Sequence, residues 1–214
     1  MRGLALCTGL IVLAMIWLGP LLGSWRTSFS AHMLAHMGVI AIAAPLIALG
    51  LPRKWRPRRS MLSALPLVAS MAELLAVWSW HAPAIRAAAE VSVLVAIAEQ
   101  GIFLAVGILL WWSCLAGVGE RLKAGIGASA LLLTSIHMTL LGALLALSPR
   151  PLYGTDEATC FGFILDAASD QQLGGVFMLL IGATVYLGGG VWLASRLVVG
   201  AHTAMDGGSS STSP

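Results

Sequence analysis

Charge is what this chain has least of. Only 10% of its 214 residues are Asp, Glu, Lys or Arg, against 58% hydrophobic residues and a mean hydropathy of +0.91. A soluble domain carries roughly 25% charged residues. A surface this poor in charge needs lipid around it. Cysteine is also scarce. Cys7, Cys114 and Cys160 stand far apart, and no C-x-x-C occurs. That argues against a disulfide framework and against the paired-thiolate motif of many soluble copper carriers. No glycine-rich phosphate loop or dinucleotide fingerprint is present. The formal charge of +3 does not point to nucleic acid, because the positive residues cluster. Arg53, Lys54, Arg56, Arg58 and Arg59 sit between two apolar runs, where anionic headgroups and the positive-inside rule would place them.

What the chain does have is apolar length. Six stretches approach the roughly 20 residues that a membrane helix needs: residues 4–22, 30–50, 61–80, 91–114, 125–147 and 173–199. The expected fold is therefore all-α, a polytopic transmembrane bundle of about six helices over residues 1–200. A disordered cytoplasmic tail over 201–214 is expected to follow, since DGGSSSTSP has nothing to bury. The first stretch has Arg2 in front and small residues at 19–24, as a signal peptide would. Its long apolar core and the lack of an A-x-A site favour a retained helix.

Orientation follows from the basic residues. With the loop 51–60 in the cytoplasm, Arg2, Arg121, Lys123 and Arg196 also fall inside, and only Arg26, Arg86 and Arg150 fall outside. Both termini are then cytoplasmic. The loops 23–29, 81–90 and 148–172 face outward. The last carries Asp156, Glu157, Asp166 and Asp170, with Phe161 and Phe163 placed to rest on the membrane surface.

Several residues in this frame can carry chemistry. His32 and His36 are four apart on the second helix, so both imidazoles share a face and one metal can bridge them. Met33 and Met37 repeat the spacing on the neighbouring face. Imidazole with thioether suits copper, and thioether favours Cu(I). His81 lies in Trp80-His81-Ala82-Pro83, where Pro83 should stop the third helix. Each of these histidines also has a plainer explanation, as part of a packed and hydrogen-bonded helix end. Glu73 and Glu99 are carboxylates inside spans, which usually face a partner or a water-filled cavity. With His36 they fall roughly 10–12 Å below the outer boundary by helical rise. A shared depth fits a buried polar site or a structural hydrogen-bond cluster. His137 and Met138 lie deeper on the fifth helix, with Thr134 on the face of His137. Asp170 can cap the sixth helix. Gly175, Gly182 and Gly189 recur every seven residues, as close helix packing requires.

These pieces resemble the CtaG-like cytochrome c oxidase assembly proteins. The matching segments are F-S-A-H-M-L-A-H-M at 29–37, A-P-L-I-A-L-G-L-P at 44–52, W-H-A-P at 80–83 and E-Q-G-I-F-L-A-V-G-I-L-L-W-W at 99–112. L-G-A-L-L-A-L-S-P-R-P-L-Y at 141–153 and D-Q-Q-L-G-G at 170–175 complete the ordered set. Many relatives carry a histidine pair around the glutamate of the fourth helix, where this chain has Ala96 and Gln100. The resemblance implies copper handling during oxidase maturation. The leading expectation is a non-enzymatic assembly factor in a bacterial inner membrane, with cytochrome c oxidase subunits and membrane lipid as partners and Cu(I) held at the outer face. From their own spacing, His32 and His36 are the expected main ligands, with Met33, Met37 or His81 completing the site. Glu73, Glu99, Gln100, His137 and Asp170 are expected around them. Two other classes remain open: a permease for copper or another small solute, and a haem-binding redox protein.

Overall fold

The structure is a computed structural model. It describes residues 1–25, 27–52, 63–116, 121–154, 157–160 and 162–206. Arg26, the five-residue basic cluster from Arg53 to Arg59, Asp156, Phe161 and the tail from residue 207 lie outside the described residues. The side chains of Cys160 and of residues 198–206 do so too.

Among the described residues the chain is all-α apart from one hairpin. Helix α1 spans Arg2–Leu18. Helix α2 (Phe29–Met37) runs through a π-helical turn (Gly38–Ala43) into α3 (Ala44–Gly50). Then come α4 (Leu65–Trp80), α5 (Pro83–Val91), α6 (Val93–Ala116) and α7 (Arg121–Ala146). Strands β1 (Ala158–Cys160) and β2 (Phe163–Leu165) pair antiparallel. Helix α8 (Ala167–Gly182) passes through a second π-helical turn (Ala183–Leu187) into α9 (Gly188–Asp206). Four of these rods are long and apolar enough to cross a membrane: Phe29–Gly50, Val93–Ala116, Arg121–Ala146 and Ala167–Leu197. Arg2–Leu18 and Leu65–Trp80 are shorter apolar helices.

Many large aliphatics point outward. Leu10, Leu75, Leu94, Ile136, Leu144 and Leu180 are exposed, while Ser70, Glu73, Thr134 and His137 are buried. A bundle with apolar side chains outside and polar ones inside is built for lipid, and its helices associate by close packing rather than by hydrophobic burial. Glycines make that packing possible. A Cβ on Gly142 of α7 would lie 3.0 Å from Gly175 O of α8, and one on Gly175 would lie 2.8 Å from Gly142 O. On α1, a Cβ at Gly9 would meet Ile47 at 2.9 Å, and one at Gly50 of α3 would meet Leu6 at 2.5 Å. The seven-residue glycine step is indeed a packing face. At Gly182 the nearest neighbour is the Met138 Cβ at 3.2 Å, and at Gly189 the Trp111 ring lies 2.9 Å away.

The first π-helical turn has a cause in the sequence. Pro45 has no N–H and its ring crowds the carbonyl four residues earlier, so the ladder must widen ahead of it. The Ala44 N–H bonds Val39 O. Ile40 O is thereby left for other donors; it receives Trp111 Nε1 at 3.2 Å, and the Tyr186 hydroxyl oxygen stands 3.4 Å away. Tyr186 belongs to the second π-helical turn. There, the Thr184 hydroxyl bonds Leu180 O inside the ladder, a geometry that bends helices.

Two segments expected as outer loops are partly helical. Residues 81–90 contain α5, because Pro83 stops α4 and also opens a new helix; its fixed φ and missing N–H suit a first turn. The segment 148–172 holds the β-hairpin and the first turn of α8, which begins at Ala167 rather than at Leu173. The cap of α8 is Asp166, which accepts from Ser169 N at 2.9 Å; these hydrogen bonds hold its carboxyl below the usual range. The expectation that Asp170 caps α8 is corrected accordingly.

Candidate functional site

One end of the bundle collects the polar side chains. The N-terminus of α2, the C-termini of α4 and α7, and the N-termini of α6 and α8 all meet there, as the contacts below show. Asp170, one turn into α8, reaches across to α2. Its carboxylate accepts from Phe29 N at 2.6 Å, Ser30 N at 3.1 Å, Ser28 Oγ at 2.8 Å and Ser30 Oγ at 2.5 Å. The first N–H groups of a helix have no partner within it, and a carboxylate there also suits the helix dipole. Asp170 therefore caps α2 from another helix and fixes the height of the His32–His36 segment. Gln171 ties in the end of α7, donating to Leu145 O at 3.1 Å and accepting from Leu152 N at 2.6 Å.

The α2 histidines then meet α4 and α6. His32 Nε2 lies 3.2 Å from Glu99 Oε1 on α6, both buried. His36, one turn deeper, is fully buried and neither ring nitrogen has a hydrogen-bond partner among the described residues. Its ring sits edge-on to His81, with centroids 5.4 Å apart, and against Phe103 at 4.0 Å. His81 ends α4. Its Nδ1 bonds Val77 O at 2.6 Å, so that nitrogen carries the proton. Its Nε2 then presents a lone pair, and 3.3 Å away stands the Met33 Sδ. Two electron-rich atoms face each other with no proton between them. Tyr153 secures His81 from the other side, donating to His81 O at 2.5 Å and stacking on Phe29 with centroids 4.3 Å apart. Burial pushes the Tyr153 hydroxyl up to about 12, which keeps it a donor.

Of the expected site residues, the fold brings together His32, Met33, His36, His81 and Glu99. Gln100 lines a cavity beside them. The others lie elsewhere. Met37 packs toward α8, with its methyl 3.5 Å from where a Gly182 Cβ would stand. Glu73 accepts from the Tyr186 hydroxyl at 2.5 Å. His137 is buried with both ring nitrogens unpartnered among the described residues, while Thr134 shares a hydrogen bond with Ser70 at 2.8 Å. Asp170 acts on the backbone of α2. A shared depth had suggested one cluster for His36, Glu73 and Glu99, but depth does not fix which way a helix face turns. Among the described residues, no three His, Cys, Asp or Glu side chains converge to hold a metal. The donor set that does converge is two imidazoles and a thioether.

Three buried polar residues escaped sequence reasoning, Tyr153 and Arg86 at this end and Tyr186 deeper in the bundle. Tyr153 and Tyr186 are the only two tyrosines, and both donate to buried groups. Their rarity in so apolar a chain was the available signal. Arg86 is 4% exposed on α5 and lies 3.4 Å from Glu90. The spacing Arg86–Glu90 marked one helical face, once the segment was seen to be a helix.

The fold and this end of the bundle define an all-α membrane protein that gathers imidazole and thioether groups where five helix ends meet. The family model described as cytochrome c oxidase caa3 assembly factor (Caa3_CtaG) matches residues 1–199. The chain belongs to that family. No curated protein and no solved structure matches it.

Proposed function

We propose that this chain serves oxidase assembly by holding Cu(I) between Met33, His36 and His81 for delivery to a cytochrome c oxidase subunit. The observation that carries this reading is the approach of His81 Nε2 to Met33 Sδ at 3.3 Å, beside the unpartnered imidazole of His36. Neutral imidazole nitrogens and a thioether form a soft, uncharged donor set, which suits Cu(I) better than a hard divalent cation. The Val77 carbonyl fixes the His81 tautomer, as groups behind metal-binding histidines commonly do. Glu99 lies against His32 next to these donors and can balance the charge of an arriving cation.

The role is non-catalytic, and the chain crosses a bacterial inner membrane six times. The two shorter apolar helices cross with the four long ones. Both termini are cytoplasmic, and the histidine end faces outward. The segment following α7 then meets the oxidase subunit on the outer side, where copper arrives.

The test is Cu(I) content of detergent-purified protein under reducing conditions. His36→Ala combined with His81→Ala should lose most of the metal, and cells carrying it should contain oxidase protein with deficient copper centres. Membrane levels of the variant must match the parent, since lost packing would imitate lost ligation. Parental copper content and full oxidase activity in that double variant would show the histidines to be structural.

A further inference from the structure

Beside the His32–Glu99 pair lies a cavity of about 300 Å³. Helix α5 covers it with Arg86 and Glu90, and α6 lines it with Ala96, Glu99 and Gln100. Its rim includes Trp17, Val93 and Ile97, which are all exposed on the apolar surface of the bundle. This apolar rim suits an opening toward the bilayer.

The polar end of the cavity includes a buried carboxamide with open hydrogen-bonding capacity. Gln100 is 5% exposed, and neither its Oε1 nor its Nε2 has a partner among the described residues. Leaving a buried polar group unpaired costs about 1–3 kcal/mol, so such a group in a cavity wall marks where a ligand's polar atoms belong. A carboxamide both donates and accepts, and it therefore pairs with a carbonyl or a hydroxyl. Three charged groups stand around it: Arg86 lies 3.4 Å from Glu90, and Glu99 lies 3.2 Å from the His32 imidazole. An anionic head would face the two carboxylates, and a cationic one would face Arg86. A neutral head meets neither penalty.

We propose that this cavity binds a neutral, membrane-dissolved molecule of the quinone or quinol class. Its oxygens bond the Gln100 amide, and its apolar chain leaves past Trp17 and Ile97. The proposal concerns a ligand other than copper and does not depend on the metal site.

A benzoquinone with a decyl chain is the probe, added to the purified full chain in lipid nanodiscs. Saturable quenching of tryptophan fluorescence is expected, most of it absent in Trp17→Phe. Gln100→Leu keeps the volume but removes both bonding atoms, and should weaken binding at least about tenfold. Ala96→Phe fills the cavity and should abolish binding while leaving thermal stability and Cu(I) content at parental values. Because Ala96 borders open space, this variant keeps the test valid if Gln100→Leu fails to fold. Quenching that rises linearly with probe, or is unchanged in Ala96→Phe, overturns the proposal. Displacement of the probe by phosphatidylglycerol but not by a second quinone overturns it in favour of a lipid-headgroup site.

Discussion

Asp170 on α8 accepts a hydrogen bond from the backbone N–H of Phe29, the first residue of α2, at 2.6 Å. A side chain from the last rod thus completes the start of the second, and with it the placement of His32, Met33 and His36. Asp170→Ala would strand two backbone N–H groups in a buried setting and leave the Ser28 and Ser30 hydroxyls only each other as acceptors. A loss of about 3 kcal/mol is expected from such unsatisfied donors. Thermal unfolding in detergent measures it, and a parental midpoint would mean that water replaces the carboxylate.

Close helix crossings should be intolerant of side chains in proportion to what they meet. At Gly175 a Cβ meets backbone, at 2.5 Å from Ala146 N, whereas at Gly182 the nearest atom is a side-chain carbon at 3.2 Å. Gly175→Ala is therefore expected to destabilise the bundle by more than Gly182→Ala. Membrane yield and detergent midpoints of the two variants, compared side by side, decide this. The reverse order would show that α7 and α8 separate freely.

Tyr153→Phe removes only the hydroxyl that donates to His81 O, and leaves the ring stacked on Phe29. If His81 holds copper, losing this support should weaken Cu(I) affinity by roughly 10–100-fold without abolishing it. Competition with a Cu(I) chelator reads the change. Unaltered affinity with unaltered stability would place His81 outside the metal site.

The two buried glutamates should behave differently. Glu99 contacts His32, while Glu73 contacts Tyr186 next to the π-helical turns. Glu99→Gln is expected to lower Cu(I) affinity, and Glu73→Gln to leave it at the parental value. Equal losses from both would return Glu73 to the neighbourhood of the metal.

Orientation can be read with one engineered thiol. Phe163 is 70% exposed on β2, in the segment between α7 and α8. In a background of Cys7→Ser, Cys114→Ser and Cys160→Ser, Phe163→Cys should react with a membrane-impermeant thiol reagent in intact cells. Reaction only after the membrane is broken would invert the assignment of the histidine end to the outer face.

The sequence by itself determined the class and the register. Its poverty of charge and its apolar runs demand helices in lipid, because each run must bond its own backbone there. The four-residue spacing of His32 and His36 put them on one face, and Pro83 marked where the third helix stops. Tertiary structure alone decided which faces meet. His32 turns to Glu99, whereas Met37 turns away to α8 and Glu73 to Tyr186. Helical spacing fixes the angle between residues on one rod but not the rotation of one rod against another. That rotation is set by the glycine crossings and by Asp170, whose partners lie about 140 positions away in the chain.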